Sequence, residues 1–265
     1  MSELFNFQVG ERPLLVSIPH AGTLLPASMA TELSAGASSL PDTDWFVDRL
    51  YDWVPQLGAG LITARYSRYL IDLNRPPDDA ALYRSETPGL IPLRTFSGTQ
   101  VYTSEPPDAK EVAMRLSRYW QPYHRAIQHE LERMREKFGY AILFDAHSIR
   151  SRVPGLFDGV LPDLNLGSFA GRSAAPGLVE TAMNVIEDQD RYSHVKDGRF
   201  KGGFITRHYG RPEQNIHALQ LEMAQTVYMH EDPPVYAIEA ASRAREFLRI
   251  LLSCLIEWSP VMESR

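Results

Sequence analysis

Two histidines in this 265-residue chain each follow an apolar run: His20 in "LLVSIPH" and His147 in "AILFDAH". An imidazole at the tip of a buried segment can ligate a metal or relay a proton. Two acids, Asp42 and Asp44, stand close together in "LPDTDW". Two histidines and one carboxylate leave one position open on a four-coordinate cation, which is the donor set of a catalytic zinc site. His20, Asp44 and His147 are therefore the candidate ligands, with Asp42 competing for the carboxylate place. Either acid also suits the N-cap of the helix expected to follow. Other divalent ions accept the same donors, so one divalent metal is expected, with zinc first among them.

A hydrolytic metal site needs a base beside it. Glu222 sits between Leu221 and Met223 in the apolar run "HALQLEM". Burial raises a carboxylate's pKa toward the range used in general acid–base work, so Glu222 is the candidate base; the competing reading is an ion pair with an arginine. Asp145, two residues before His147, shares its face of an extended strand. It serves the site either by bonding the imidazole from behind or as a further ligand. His217 precedes Glu222 at an odd spacing, which points the two to opposite faces. His124 and His129 lie in a helical pattern and read as surface or packing residues.

Arginine is dense where periodicity is absent, as in Arg75, Arg84, Arg94, Arg150, Arg199 and Arg207. A guanidinium forks onto a carboxylate at about 1.5–3 kcal/mol per charge-assisted bond. Several of these arginines serve solubility. Best placed as substrate contacts are Asn74 and Arg75 at an expected strand end, and Arg199 and Arg207, with Lys201, in "GRFKGGFITR". Glycines in that stretch would let its backbone approach a ligand closely. His208 follows it, and Arg150 lies just beyond His147; both are further candidate contacts. No GxxxxGK[ST], GxGxxG or GxSxG motif is present, which removes the usual nucleotide cradles and the serine-hydrolase elbow.

Elements must bring these residues together. The spacing predicts strands at 13–19, 140–146 and 215–223, and helices at 42–58, 107–138, about 176–190 and about 235–258. Two further strands or a hairpin are expected over 59–74, and a break in the long helix at Pro122. Long irregular segments at about 75–106 and 148–175 read as active-site loops. The alternation predicts a single domain over 1–265, a three-layer α/β/α sandwich with a mixed, largely parallel sheet. In open α/β sheets ligands bind beyond the carboxyl ends of the strands, and His20, Asn74–Arg75, Asp145–His147 and Glu222 all stand at such ends.

Composition narrows the class. A net charge of −6 disfavours nucleic-acid partners, which need basic surface. No uncharged apolar run reaches the roughly 20 residues of a membrane span. The single cysteine, Cys254, fits a reducing compartment, and with no basic, apolar start the protein is expected in the cytoplasm.

Longer blocks carry more information than any short motif. "SIPHAG", "DTDWFVDRLY", "RYLIDLNRPPDD", "FDAHSIRS", "GRFKGGFITRHYGRP" and "HALQLEMAQTVYM" together resemble the N-formylglutamate amidohydrolase family of histidine degradation. That family is similar in fold to zinc-dependent carboxypeptidases. The broader carboxypeptidase order of histidine, acid, Asn-Arg, histidine and glutamate is matched by His20, Asp44, Asn74–Arg75, His147 and Glu222. The carboxypeptidase HxxE spacing is not, because residue 23 is Thr. The resemblance implies hydrolysis of N-formyl-L-glutamate, a small dicarboxylate whose two carboxylates Arg75 and the 199–207 loop would hold, to formate and L-glutamate. Rival expectations are a metallohydrolase of another N-acyl amino acid or small peptide amide, and a non-catalytic carboxylate-binding protein.

Overall fold

The computed structural model describes residues 3–82 and 88–260. Arg84, one of the arginines noted above, and part of the expected loop 75–106 lie outside these residues. In chain order the strands are β1 (Phe5–Gln8), β2 (Leu14–Ile18), β3 (Gly60–Ala64), β4 (Ala141–Ile149), β5 (Leu164–Gly167), β6 (His194–Lys196), β7 (Ile216–Ala224), β8 (Met229–Glu231) and β9 (Pro234–Tyr236). The helices are α1 (Ala27–Ala30), α2 (Val47–Leu50), α3 (Ala109–Arg115), α4 (Gln121–Phe138), α5 (Pro176–Glu187), α6 (Phe204–Tyr209) and α7 (Ile238–Glu257).

Seven strands form one sheet in the order β1-β3-β2-β4-β7-β5-β6, with β8 and β9 pairing separately. The central run β3-β2-β4-β7 is parallel, while β1 and β5 join it antiparallel. β2, β4 and β7 are buried along their whole length, as strands covered on both faces must be. Even-numbered residues of β2 and β4 (Val16, Ile18, Phe144) and odd ones of β7 (Leu219, Leu221) pack with α5 and α7. The opposite residues, including Leu15, Leu143 and Ala218, pack with α4 and α6. The result is a mixed, largely parallel sheet between two helical layers.

The long helix divides before Pro122. α3 starts at Asp108, whose carboxylate accepts from Glu111 N, and a π-type stretch, Leu116–Trp120, joins it to α4. Pro122 stands just after that π-type stretch, the point at which the helical hydrogen-bond pattern shifts and a residue without an N–H is accommodated. α4 stops at Gly139, φ 84°.

Several expectations fail for physical reasons. The helix expected over 42–58 shrinks to α2 and a short 3-10 turn, Val54–Leu57, because Phe46 adopts φ 62°, outside the helical region. "RYLIDLN" is not a strand. Its Tyr69, Leu70, Ile71 and Leu73 are buried, but the backbone turns at Ser67–Leu70 and bonds Asp72 N to Leu90 O instead of pairing with a neighbour. β1, β5, β6 and α6 were not expected; they are short, and β6 carries no apolar alternation. The described parts of 75–106 form no helix or strand.

Candidate active site

Beyond Ile18 the chain turns to present His20, whose carbonyl accepts from Asp44 N. An added Cβ on Gly22 would overlap the Arg65–Tyr66 backbone, so the close approach after His20 requires glycine. β4 and β7 run in parallel with His147 directly opposite Glu222 and Asp145 opposite Gln220. Parallel partners share a face, so the four side chains project to the same side of the sheet, the side covered by α4 and α6.

His20, Asp44 and His147 converge. Each offers one donor atom within 4.8 Å of the others, and their exposures are 3%, 2% and 3%. Asp44 Oδ2 lies 3.1 Å from His147 Nδ1 and 3.9 Å from His20 Nδ1. The far nitrogen of each ring meets a carboxylate, His20 Nε2 with Asp72 Oδ1 at 2.7 Å and His147 Nε2 with Asp145 Oδ2 at 3.0 Å. A carboxylate beyond a histidine is the usual support of a metal-ligating ring. Asp42 is engaged elsewhere, accepting from Tyr69 Oη and Phe96 N. Asp44 is thus the acid at the cluster, and Asp145 lies behind His147.

The electrostatics favour positive charge at the centre of this cluster. Burial alone would raise Asp44, but the His147 hydrogen bond and the charges of His20, His147 and Arg68 hold it below its usual range. Burial lowers His20, aided by Arg68 and opposed by Asp72 and Asp44, which moves the ring toward the neutral form that a metal ligand requires. Burial also acts to lower His147, yet Asp145 and Asp44 overcome it and raise the ring well above its ordinary value. Burial pushes Glu222 up to about 8. Buried histidines and a carboxylate around a shared space fit a divalent cation.

A cavity opens on the cluster. His20, Asp44, His147 and Glu222 line it together with Asn74, Arg75 and Arg199, and Phe96, Leu156 and Phe200 give it apolar walls. Arg75 Nε donates to Pro88 O and Arg199 Nε to Leu156 O, which fixes both guanidinium groups at the cavity. Asn74 is also structural: its Nδ2 donates to Asp145 Oδ2 and its Oδ1 accepts from Ile205 N.

Three expected contacts are elsewhere. Arg150 pairs with Asp232. Arg207 donates to Gly202 O and Leu82 O and lies over Phe169. His208 stacks on Phe204 beside Tyr209. Arg207 and His208 lie on the helical turn α6 and do not line the cavity.

Arg68, Asp72 and Gln220 were missed. Arg68 and Asp72 form an i,i+4 ion pair of 2.7 Å, 7% and 0% exposed, and their only signal was two opposite charges inside an otherwise apolar block. Gln220 accepts from Gly203 N and donates to Glu222 Oε2 at 3.4 Å.

Comparison with known proteins places this geometry. Residues 12–229 match the model of the N-formylglutamate amidohydrolase family. The chain belongs to that family. An N-formylglutamate deformylase of Pseudomonas aeruginosa is 50% identical over 97% of this chain and 98% of its own. One from Pseudomonas putida is 48% identical, covering 97% of both. The crystal structure of an N-formylglutamate amidohydrolase from Ralstonia eutropha superposes with a TM-score of 0.81 at 27% identity, over 95% of this chain and 97% of that one. A gene product of Agrobacterium tumefaciens shares the fold, with a TM-score of 0.73 at 18% identity over 96% and 95% of the two chains. The amidohydrolase family match runs from before β2 to the start of β8, and so contains every residue of the cluster and the cavity named above. No helix among the described residues is long and apolar enough to cross a membrane.

Proposed function

We propose that this amidohydrolase cleaves N-formyl-L-glutamate to formate and L-glutamate, with a divalent metal held by His20, Asp44 and His147. The observation that carries the reading is the buried His–Asp–His cluster opening on a cavity that also holds Glu222 and the guanidinium groups of Arg68, Arg75 and Arg199. The relatives named for this substrate span nearly the whole chain. A divalent cation, zinc by first choice, would acidify water, polarise the formyl oxygen and by its charge draw the Glu222 pKa down.

The chain's own groups do the rest. Glu222 takes a proton from the attacking water on a carboxylate oxygen and returns it to the amide nitrogen as the C–N bond breaks. Asp72 and Asp145 hold the two imidazole rings. Arg75 and Arg199 receive the substrate's two carboxylates, the contact for which a guanidinium fork is suited. Phe96, Leu156 and Phe200 limit water around them, which strengthens these charge contacts.

The test is formate release from N-formyl-L-glutamate by purified protein, before and after chelation, and again after zinc is restored. Activity should vanish with chelator and return with metal. Fully metallated protein that releases no formate would refute the substrate; activity indifferent to chelation would refute the metal.

A further inference from the structure

Arg68 and Asp72 sit inside the site, yet the proposed reaction gives Arg68 no task. Asp72 is fully buried, so water cannot satisfy or turn its carboxylate. Its Oδ1 accepts from His20 at 2.7 Å and from Asn74 N at 2.8 Å, and its Oδ2 accepts from Arg68 Nη2 at 2.7 Å. A carboxylate only accepts. His20 therefore donates through Nε2 and keeps its Nδ1 lone pair toward the Asp44–His147 side. Arg68 is in turn fixed by Asp42 O at 3.5 Å and by the Phe96 ring, 4.9 Å from its guanidinium carbon.

A guanidinium is a poor neighbour for a metal site, since Arg68 also lies 3.9 Å from Asp44 Oδ1 and its charge repels a cation. A role for Arg68 must outweigh that repulsion. We propose that Arg68 is a positioning residue that clamps Asp72 and, through it, aims His20 at the metal position. The clamp and the charge have opposite effects on metal affinity, so they can be separated. Removing the clamp weakens binding; removing the charge strengthens it.

The inference rests on the metal reading above. Its test is zinc affinity by chelator competition on full-length protein, with near-UV circular dichroism to establish folding. Arg68→Met should lower zinc affinity about 10- to 100-fold, the usual range for losing a partner behind a ligand. At saturating zinc it should regain most of its kcat with KM for N-formyl-L-glutamate unchanged. In an Asp72→Ala background there is nothing left to clamp, and adding Arg68→Met should leave affinity unchanged or raise it. Arg68→Lys keeps the charge but loses the planar fork, so its affinity should fall roughly threefold or more below wild type.

Unchanged or tighter zinc binding by Arg68→Met would overturn the proposal, as would an equal loss in both backgrounds. If Arg68→Met does not fold, wild-type affinity in Arg68→Lys overturns it. Wild-type protein that binds no zinc would remove the metal reading and this inference with it. Zinc bound normally by wild type and by Arg68→Met alike would remove only this inference.

Discussion

The Glu222 carboxylate is bonded by an amide, Gln220 Nε2 at 3.4 Å, and it faces the cavity beside His147. A group so placed loses its function when it can no longer take a proton, even if its shape is kept. Glu222→Gln should lower kcat by about 10²- to 10⁴-fold, with zinc affinity near wild type because the residue is not a ligand. A loss of zinc binding equal to the loss of rate would place Glu222 on the metal instead. Arg75 and Arg199 allow a finer assignment. Replacing either by Met should raise KM for N-formyl-L-glutamate by about 10- to 100-fold, the equivalent of one charge-assisted contact. N-formyl-L-glutamine, with a neutral side-chain amide, should already bind weakly. The variant that lacks the guanidinium facing that end should distinguish the two compounds least, and if both variants discriminate like wild type, neither arginine reads the side-chain carboxylate. The candidate ligands were visible in the sequence because histidines and an acid beside apolar runs stand out by residue type alone. Arg68 and Asp72 stayed hidden because a buried ion pair is defined by what surrounds it, and the residues around it come from distant parts of the chain.

At the scale of elements, the site depends on two strands side by side and on the segment that packs against Asn74. An added Cβ on Gly203 would overlap the Asn74 amide, which holds Asp145 and the start of α6 together. Gly203→Ala should therefore lower kcat for N-formyl-L-glutamate at least tenfold while destabilising the fold by about 1–3 kcal/mol, the usual cost of overfilling a packed site. Equilibrium urea unfolding and steady-state kinetics on the same preparation check both, and wild-type kinetics would show that the Asn74 amide has room to move. The long buried strands β4 and β7 were legible because continuous apolar runs of that length leave few alternatives. The same reading failed for "RYLIDLN", where apolar content imposed burial without sheet pairing; the backbone there follows Asp72 and Leu90. β5 was missed for the converse reason: a four-residue strand holding a polar Asn165 is specified by its neighbour β7 rather than by its own pattern.

For the whole molecule, folding buries histidines that the unfolded chain would protonate. His124, in α4, stacks on Trp120 with ring centroids 3.7 Å apart, and its nitrogens meet Leu73 O and Tyr209 Oη. Burial pulls its pKa down to about 3, with the Leu73 carbonyl opposing and His208 reinforcing the shift. Burial takes His217, on β7, to about 4. Both folded values lie below the unfolded 6.5, so the unfolded state binds more protons between them. The stability from neutral burial is complete above about pH 6.5 and is lost as pH falls, by about 1.4 kcal/mol per pH unit for each group. Glu222 works in the other direction: its folded value of about 8 exceeds the ordinary 4.5, so its contribution is complete below about pH 4.5 and is lost as pH rises toward 8. The net slope mixes these signs, and the difference between two proteins is the cleaner quantity. Urea unfolding from pH 7.5 to 4.5 should give His124→Gln a slope smaller than wild type by one proton below pH 6.5. His217→Gln should remove a second, because the two rings lie on opposite faces of the sheet and titrate independently. Equal slopes in wild type and His124→Gln would mean that the stacked ring admits a proton without opening the interface between α4 and α6.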